Sequence, residues 1–189
     1  VITEVEGGVL KVFIRTKGIK NLSLNNLVVK VSAPTLNSLE TKAGSFFKTM
    51  TPVTGDNFRL VASSGSKLEG DFNINNSTSI DASSGSNTRL NLKTNGITVE
   101  ASSGSYVRLK GSADKLITSV SSGASCDMSD FVTNETSVSA TSGSYAKVNV
   151  VGELTAKVTS ASTVQYKGSP KKITSDVSKN TGATLTKLN

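Results

Sequence analysis

A short polar string returns along the chain at nearly constant spacing, and that recurrence narrows the possible folds more than any other feature. It reads "LVASSGSKL", "IDASSGSNTRLNL", "VEASSGSYVRL", "SVSSGASCDM" and "SATSGSYAKV". With the Gly of each string as position zero, the anchors are Gly44, Gly65, Gly85, Gly104, Gly123 and Gly143. Two degenerate copies follow, centred on Ala161 and Asn180. Successive anchors lie 21, 20, 19, 19, 20, 18 and 19 residues apart. A period of this length marks a solenoid, in which each unit buries its apolar face only by stacking on the next.

Aligned on the anchors, the odd positions are mostly apolar or small and the even ones mostly polar. Five before the anchor stand Leu60, Ile80, Val99 and Val138; three after it stand Leu68, Val107, Cys126 and Val164. Alternation with period two is the β signature, so identical offsets stack as parallel, in-register strands about 4.8 Å apart. Eight such coils make a rod on the order of 35–40 Å long. The Ser residues on either side of the anchor are expected to face inward at a corner, where space is short. Gly there supplies the bend or positive φ, and Asn180 is the best substitute for it. Cys126 falls in the inward column, which predicts a buried structural thiol rather than a nucleophile.

Residues 1–38 do not fit the register. "GGVLKVFIRTKG" alternates ambiguously and "NLVVKVSAP" reads as a further strand, so 1–38 is expected to be an N-terminal β cap or leading coils, with 39–189 the Ser-Gly coils. A Pro turn is expected at Ser169–Pro170. Nothing marks a linker, and the expectation is one domain over 1–189.

Composition agrees with an elongated, turn-rich β protein. Only 35% of the 189 residues are hydrophobic and 5% aromatic, with no Trp and no His. Helical periodicity is nearly absent. The net charge of +7 favours anionic partners, but the cations are scattered, and Lys also protects sheet edges. The single Cys leaves the redox compartment open. No segment is apolar for long enough to span a bilayer, and "VITEVEGG" does not itself read as a signal peptide; a removed export signal would leave no trace.

The "ASSGS" ladder, the stretch "VVKVSAPTLNSLETKAGS" and above all "VVGELTAKVTSASTVQYKGSPKKITSDVSKNTG" resemble one family. It is the putative auto-transporter adhesin, head GIN domain family of bacterial envelope proteins, and the resemblance covers essentially the whole chain. It implies a right-handed β-helix-like fold and an exported protein of a Gram-negative envelope, at the periplasm, outer-membrane surface or outside the cell. It carries no catalytic or binding residues to transfer. Ala161 and Asn180 depart from the pattern by lacking the anchor Gly.

Outward columns supply the candidate sites. Two and four residues after the anchor, one face collects Arg89, Tyr106, Arg108, Tyr145 and Lys147, with Ser125 between the two rings. Exposed rings against sugar faces and guanidinium forks on carboxylates or sulfates would make a platform for an acidic glycan. The competing reading is ordinary surface Tyr stacked on its neighbours. Four before the anchor, Asp81 lies beneath Glu100. Such a pair is a weak candidate for a cation site, and at about 5 Å it matches the spacing of retaining glycosidases. Against that stands plain surface charge, with nothing to desolvate either group. A lyase would need a base and a cation, for which Arg108 or Lys110 near Glu100 are the available choices. Lack of His rules out Ser-His-Asp triads and His-ligated metals, and no Lys-Ser/Thr follows the Gly-Ser strings as a phosphate loop needs. The Asn-x-Ser/Thr triplets at Asn21, Asn75, Asn76 and Asn134 are chance occurrences in so polar a chain.

The chain is therefore expected to be an all-β, single-domain, right-handed parallel solenoid with coils of 18–21 residues. Its expected role is non-enzymatic: an envelope module that binds an acidic glycan or a surface protein through a flat sheet face, without cofactor or nucleic acid. The alternatives are a polysaccharide-active β-helix enzyme and a purely structural or assembly module.

Overall fold

The molecule, seen in a computed structural model, is described over residues 1–15 and 27–188. Among these residues there is no helix. Fourteen strands follow in order: β1 (Ile2–Glu6), β2 (Val9–Phe13), β3 (Ser38–Thr41), β4 (Phe46–Lys48), β5 (Val53–Ala62), β6 (Lys67–Ala82) and β7 (Asn87–Lys93). Then come β8 (Gly96–Ala101), β9 (Tyr106–Val120), β10 (Ser125–Ala140), β11 (Tyr145–Val158), β12 (Thr163–Lys167), β13 (Lys172–Val177) and β14 (Thr184–Lys187). Strands β3 to β14 stack in parallel as a β-solenoid of about eight turns, one coil on the next.

Up to the last corner the register follows the sequence columns. Leu60 pairs with Ile80, Ile80 with Val99 and Val99 with Thr118; Leu68 pairs with Thr88, Thr88 with Val107 and Val107 with Cys126. Their side chains stack into a continuous core in which Leu60, Leu68, Val99 and Val107 are fully buried. Each such Leu or Val contributes about 1.5–3 kcal/mol through burial.

Each corner from Ala43–Gly44 to Ser160–Ala161 is a tight turn with two consecutive left-handed residues. At one of them Ser64 has φ 54° and Gly65 φ 68°, and Ser66 N–H donates to the Ser63 carbonyl at 3.2 Å. Positive φ at both central residues defines the type I′ geometry. A serine held there costs about 1–2 kcal/mol relative to right-handed backbone. Hydrogen bonds to the next coil offset that strain: Gly65 N–H reaches Ser84 O at 2.9 Å and Gly85 N–H reaches Ser103 O at 3.0 Å. The ladder thus runs through the corner without a gap.

The two serines flanking the anchor separate, contrary to the expectation that both face inward. The one before it (Ser64, Ser84, Ser103) is exposed, because its left-handed φ turns the side chain outward. The one after it is buried at Ser66, Ser86, Ser105 and Ser144, and at three of these, Ser86 excepted, the hydroxyl donates to a carbonyl of the preceding coil. Ser66 Oγ lies 3.0 Å from Thr41 O, Ser105 Oγ 2.9 Å from Ala82 O and Ser144 Oγ 2.8 Å from Val120 O. A buried hydroxyl is stable there because it is bonded.

The last corner also differs. Thr163 pairs with Thr184 and Val164 with Leu185, and Ala161 N–H bonds Thr181 O, so the stacking anchor is Gly182 and not Asn180. Before the corner the register still counts from Asn180, since Ala156 pairs with Ser175 and Val158 with Val177. Two extra residues lengthen the turn, and Asn180 (φ 59°) and Gly182 (φ 69°) both take left-handed backbone. Leu185, not Ala183, therefore continues the inward column that holds Val164. The break expected around Pro170 is present, between β12 and β13.

Residues Val1–Ala33 form a compact unit of their own. Strands β1 and β2 pair antiparallel about Gly7 (φ 56°) and Gly8 (φ 78°), forming a hairpin within the segment expected as a β cap or leading coils. "NLVVKVSAP" forms no strand over its described residues 27–33; Val28, Val29 and Val31 are exposed, with no neighbouring strand among the described residues to complete a ladder. Asn26 lies outside the described residues, as does the end of "GGVLKVFIRTKG".

Candidate functional site

Register places the sequence-predicted face as one row. Arg89 pairs with Arg108, Arg108 with Asp127 and Asp127 with Lys147; Tyr106 and Tyr145 both pair with Ser125. All five predicted residues therefore lie on the sheet that follows the corner, at even offsets that alternate with the buried columns.

The rings are half-buried, and each carries a cation over its face. The Arg89 guanidinium sits 5.7 Å from the Tyr106 ring centre and Lys147 Nζ 5.6 Å from that of Tyr145. The Tyr145 hydroxyl donates to Gln165 Oε1. Carboxylates meet the arginines: Glu69 lies 3.8 Å from Arg89, while Asp127 and Asp130 lie 3.9 and 3.3 Å from Arg108. The Asp130 hydrogen bond raises the Arg108 pKa above its ordinary value, with Asp127 adding to it. The hydrogen bond from Lys67 holds the Glu69 carboxyl below its usual range. Burial pushes Asp127 up, but the Ser129 hydroxyl and N–H, with Arg108 and Lys147, outweigh it and leave the group lowered. The face is a charge mosaic, with Lys147 forming no ion pair among the described residues.

Asp81 and Glu100 are register partners, as expected, on the sheet that precedes the corner. Arg59 stands 3.9 Å from Asp81. Among the described residues no three His, Cys, Asp or Glu side chains gather to hold a metal ion. Glu100 pairs with Asp81 and Ser119, whereas Arg108 and Lys110 belong to the sheet on the other side of the corner. The cation suggested for a lyase is thus not beside the suggested base. Cys126 is buried, and burial pushes its thiol up to about 12, an effect the Thr118 hydroxyl only partly offsets.

Sequence columns alone miss a furrow beside the predicted face. Two adjoining concavities of about 340 and 360 Å³ share Asp71, Asn91 and Lys110. Gly70 and Gly111 open it. A Cβ on Gly70 would meet the Thr49 side chain at 2.7 Å, and one on Gly111 (φ 117°) would meet Leu92 O at 2.1 Å. The available signal was a glycine inside each strand pattern, which marks a bulge or close backbone approach.

No curated protein matches the chain. Among solved structures it is similar to a putative adhesin from Parabacteroides merdae ATCC 43184, with 15% identity and a TM-score of 0.71 over 81% of this chain and 64% of that one. A second, a putative lipid binding protein from Parabacteroides distasonis ATCC 8503, has 17% identity and a TM-score of 0.70 over 100% of this chain and 78% of that one. A third, a putative adhesin from Bacteroides fragilis NCTC 9343, has 18% identity and a TM-score of 0.53 over 71% of this chain and 56% of that one. The chain thus spans less than two thirds of the length of both adhesins, and the likenesses show a common fold. Residues 1–170 match a family described as "Putative auto-transporter adhesin, head GIN domain", whose members are cell-envelope or surface proteins. The chain belongs to that family.

Proposed function

We infer that this protein is a non-enzymatic adhesin module, exported to the periplasm, the outer-membrane surface or the exterior, which holds a glycan or a partner protein against the sheet that follows the corner. The observation that carries the reading is the in-register row Tyr106–Ser125–Tyr145 beside Arg89, Arg108 and Lys147. Half-buried Tyr rings with cations over their faces are rigid, amphipathic contact groups, and Arg adds fork-shaped recognition of carboxylates or sulfates. Family membership and the adhesin names of two structural neighbours support the same role. The two surface concavities favour surface contact over the lipid binding named for the second neighbour.

The test is a glycan and surface-protein array probed with the purified chain and with a Tyr106→Ala/Tyr145→Ala variant. Salt-sensitive binding that drops about tenfold or more in the variant is the expected result. Binding unchanged in the variant, or none from folded protein, overturns the platform.

A further inference from the structure

The furrow beside the platform has a lining of its own. One bank is the in-register row Lys48, Glu69, Arg89 and Arg108, and the other the row Asp71, Asn91 and Lys110, with Lys93 beyond it. It crosses four coils, about 14 Å along the stacking direction. Gly70 and Gly111 are among its lining residues, and a Cβ at either would meet the preceding coil, at 2.7 and 2.1 Å. Lys48 and Lys93 make no ion pair among the described residues.

We propose that this furrow binds an acidic polysaccharide, a chain of sugars that carry both hydroxyl groups and carboxylates or sulfates. The proposal rests on the adhesin reading for its choice of face and shares Arg89 and Arg108 with the platform, but Lys48, Lys93 and Lys110 are its own. Five cations against the lining carboxylates of Glu69 and Asp71, with Asp130 paired to Arg108 and Lys110 beside them, still leave a net positive charge, which selects an anion. The two carboxylates also discriminate among anions. Single-stranded DNA carries a phosphate at every step and no free hydroxyl on its internal sugars, so its backbone has nothing to donate to Glu69 and Asp71, and phosphates lying against them would be repelled. A uronic-acid polymer interposes hydroxyl groups between its charges. Those hydroxyls can donate to the carboxylates of Glu69 and Asp71, while its own carboxylates meet Lys48, Arg89 and Lys110. Asp71 is positioned to accept, since Asn91 Nδ2 already donates to it at 2.6 Å and its backbone N–H bonds Thr49 Oγ1 at 3.0 Å. The Tyr106 ring, beneath Arg89, lies at the rim of the same furrow.

Calorimetric titration with polygalacturonate tests the assignment, with dextran as the neutral comparison and single-stranded DNA as the competing polyanion. The expected result is salt-sensitive binding of polygalacturonate, none of dextran, and a loss of about tenfold or more in Lys48→Ala/Lys110→Ala. Lys48→Arg/Lys110→Arg, which keeps the charge, should restore most of it. Absence of polygalacturonate binding, equal affinity in the alanine variant, or tighter binding of DNA overturns the furrow. The two readings fail separately. An array ligand lost with Tyr106→Ala/Tyr145→Ala but indifferent to Lys48→Ala/Lys110→Ala keeps the platform and removes the furrow. Polygalacturonate binding with the opposite pattern keeps the furrow and removes the platform.

Discussion

The hairpin of Val1–Ala33 and the coils that begin at Ser38 reverse the chain with the same device, two successive residues of positive φ, yet differ in what the reversal achieves. Gly7–Gly8 joins β1 to β2, and nearly every residue of both strands is exposed, including Val5, Val9 and Leu10. Ser64–Gly65 and its counterparts lead into strands whose alternate residues are wholly buried. A tight turn therefore supplies direction but no stability; the difference comes from repetition. An antiparallel pair has one face per strand and no further layer to cover it, and such hairpins are marginal by themselves. A coil of about 19 residues closes on itself and presents the same column to the coil above and the coil below, so each apolar residue is covered by its own kind.

The largest break in that comparison comes from the core. Phe131 is fully buried and Phe13 is 38% exposed. Phe131→Ala is expected to cost about 3–5 kcal/mol in urea unfolding, and Phe13→Ala no more than about 0.5 kcal/mol. Equal losses would mean that the hairpin is integral to the cooperative unit.

Cys126 sharpens it by pH. Its pKa is raised from 9.0 to about 12 in the folded state, so the unfolded chain releases this proton first as pH rises. Stability from this group is intact below pH 9 and declines between 9 and 12, by up to about 4 kcal/mol at 1.36 kcal/mol per unit. Cys126→Ala should remove that part of the alkaline slope in denaturant titrations. The native thiol should react with alkylating agents only on unfolding; prompt labelling of folded protein would refute the buried column.

The smallest effects concern the corners. Gly104 has φ 68° and open space where an alanine methyl would stand, so Gly104→Ala isolates backbone strain and should cost about 1–2 kcal/mol. Ala161, at φ 56°, already bears that strain, and Ala161→Gly should return about 1 kcal/mol or less. Gly8→Ala imposes similar strain on the hairpin but should leave the unfolding midpoint of the coils unmoved.

Most of the coil register was accessible from spacing alone. Leu60, Ile80 and Val99 stack where the columns placed them, because a side-chain period of two and a fixed offset from the anchor leave only one parallel alignment that buries every apolar residue. The assignments that failed were those where spacing carries no such constraint. Ser64 and Ser66 are identical in the sequence, and only the left-handed φ of Ser64 decides that one is outside and the other in. Asn180 keeps the period of the strands before it, while Gly182 sets the register after it, since inserted residues can be absorbed in a turn. The residues of the working face could also be grouped by offset. Their ion pairs and the furrow opened by Gly70 and Gly111 could not.

Sequence by itself determined the solenoid, its period, its parallel register and the sheet on which Arg89, Tyr106, Arg108, Tyr145 and Lys147 lie. Each of these follows from local alternation repeated at constant spacing, and repetition turns a local rule into a global one. Tertiary structure alone decided which cations are paired, which ring faces are covered and where the surface sinks. Those depend on side chains from different coils meeting at a few ångströms, and on the close approach of backbones at Gly111, neither of which a one-dimensional pattern records.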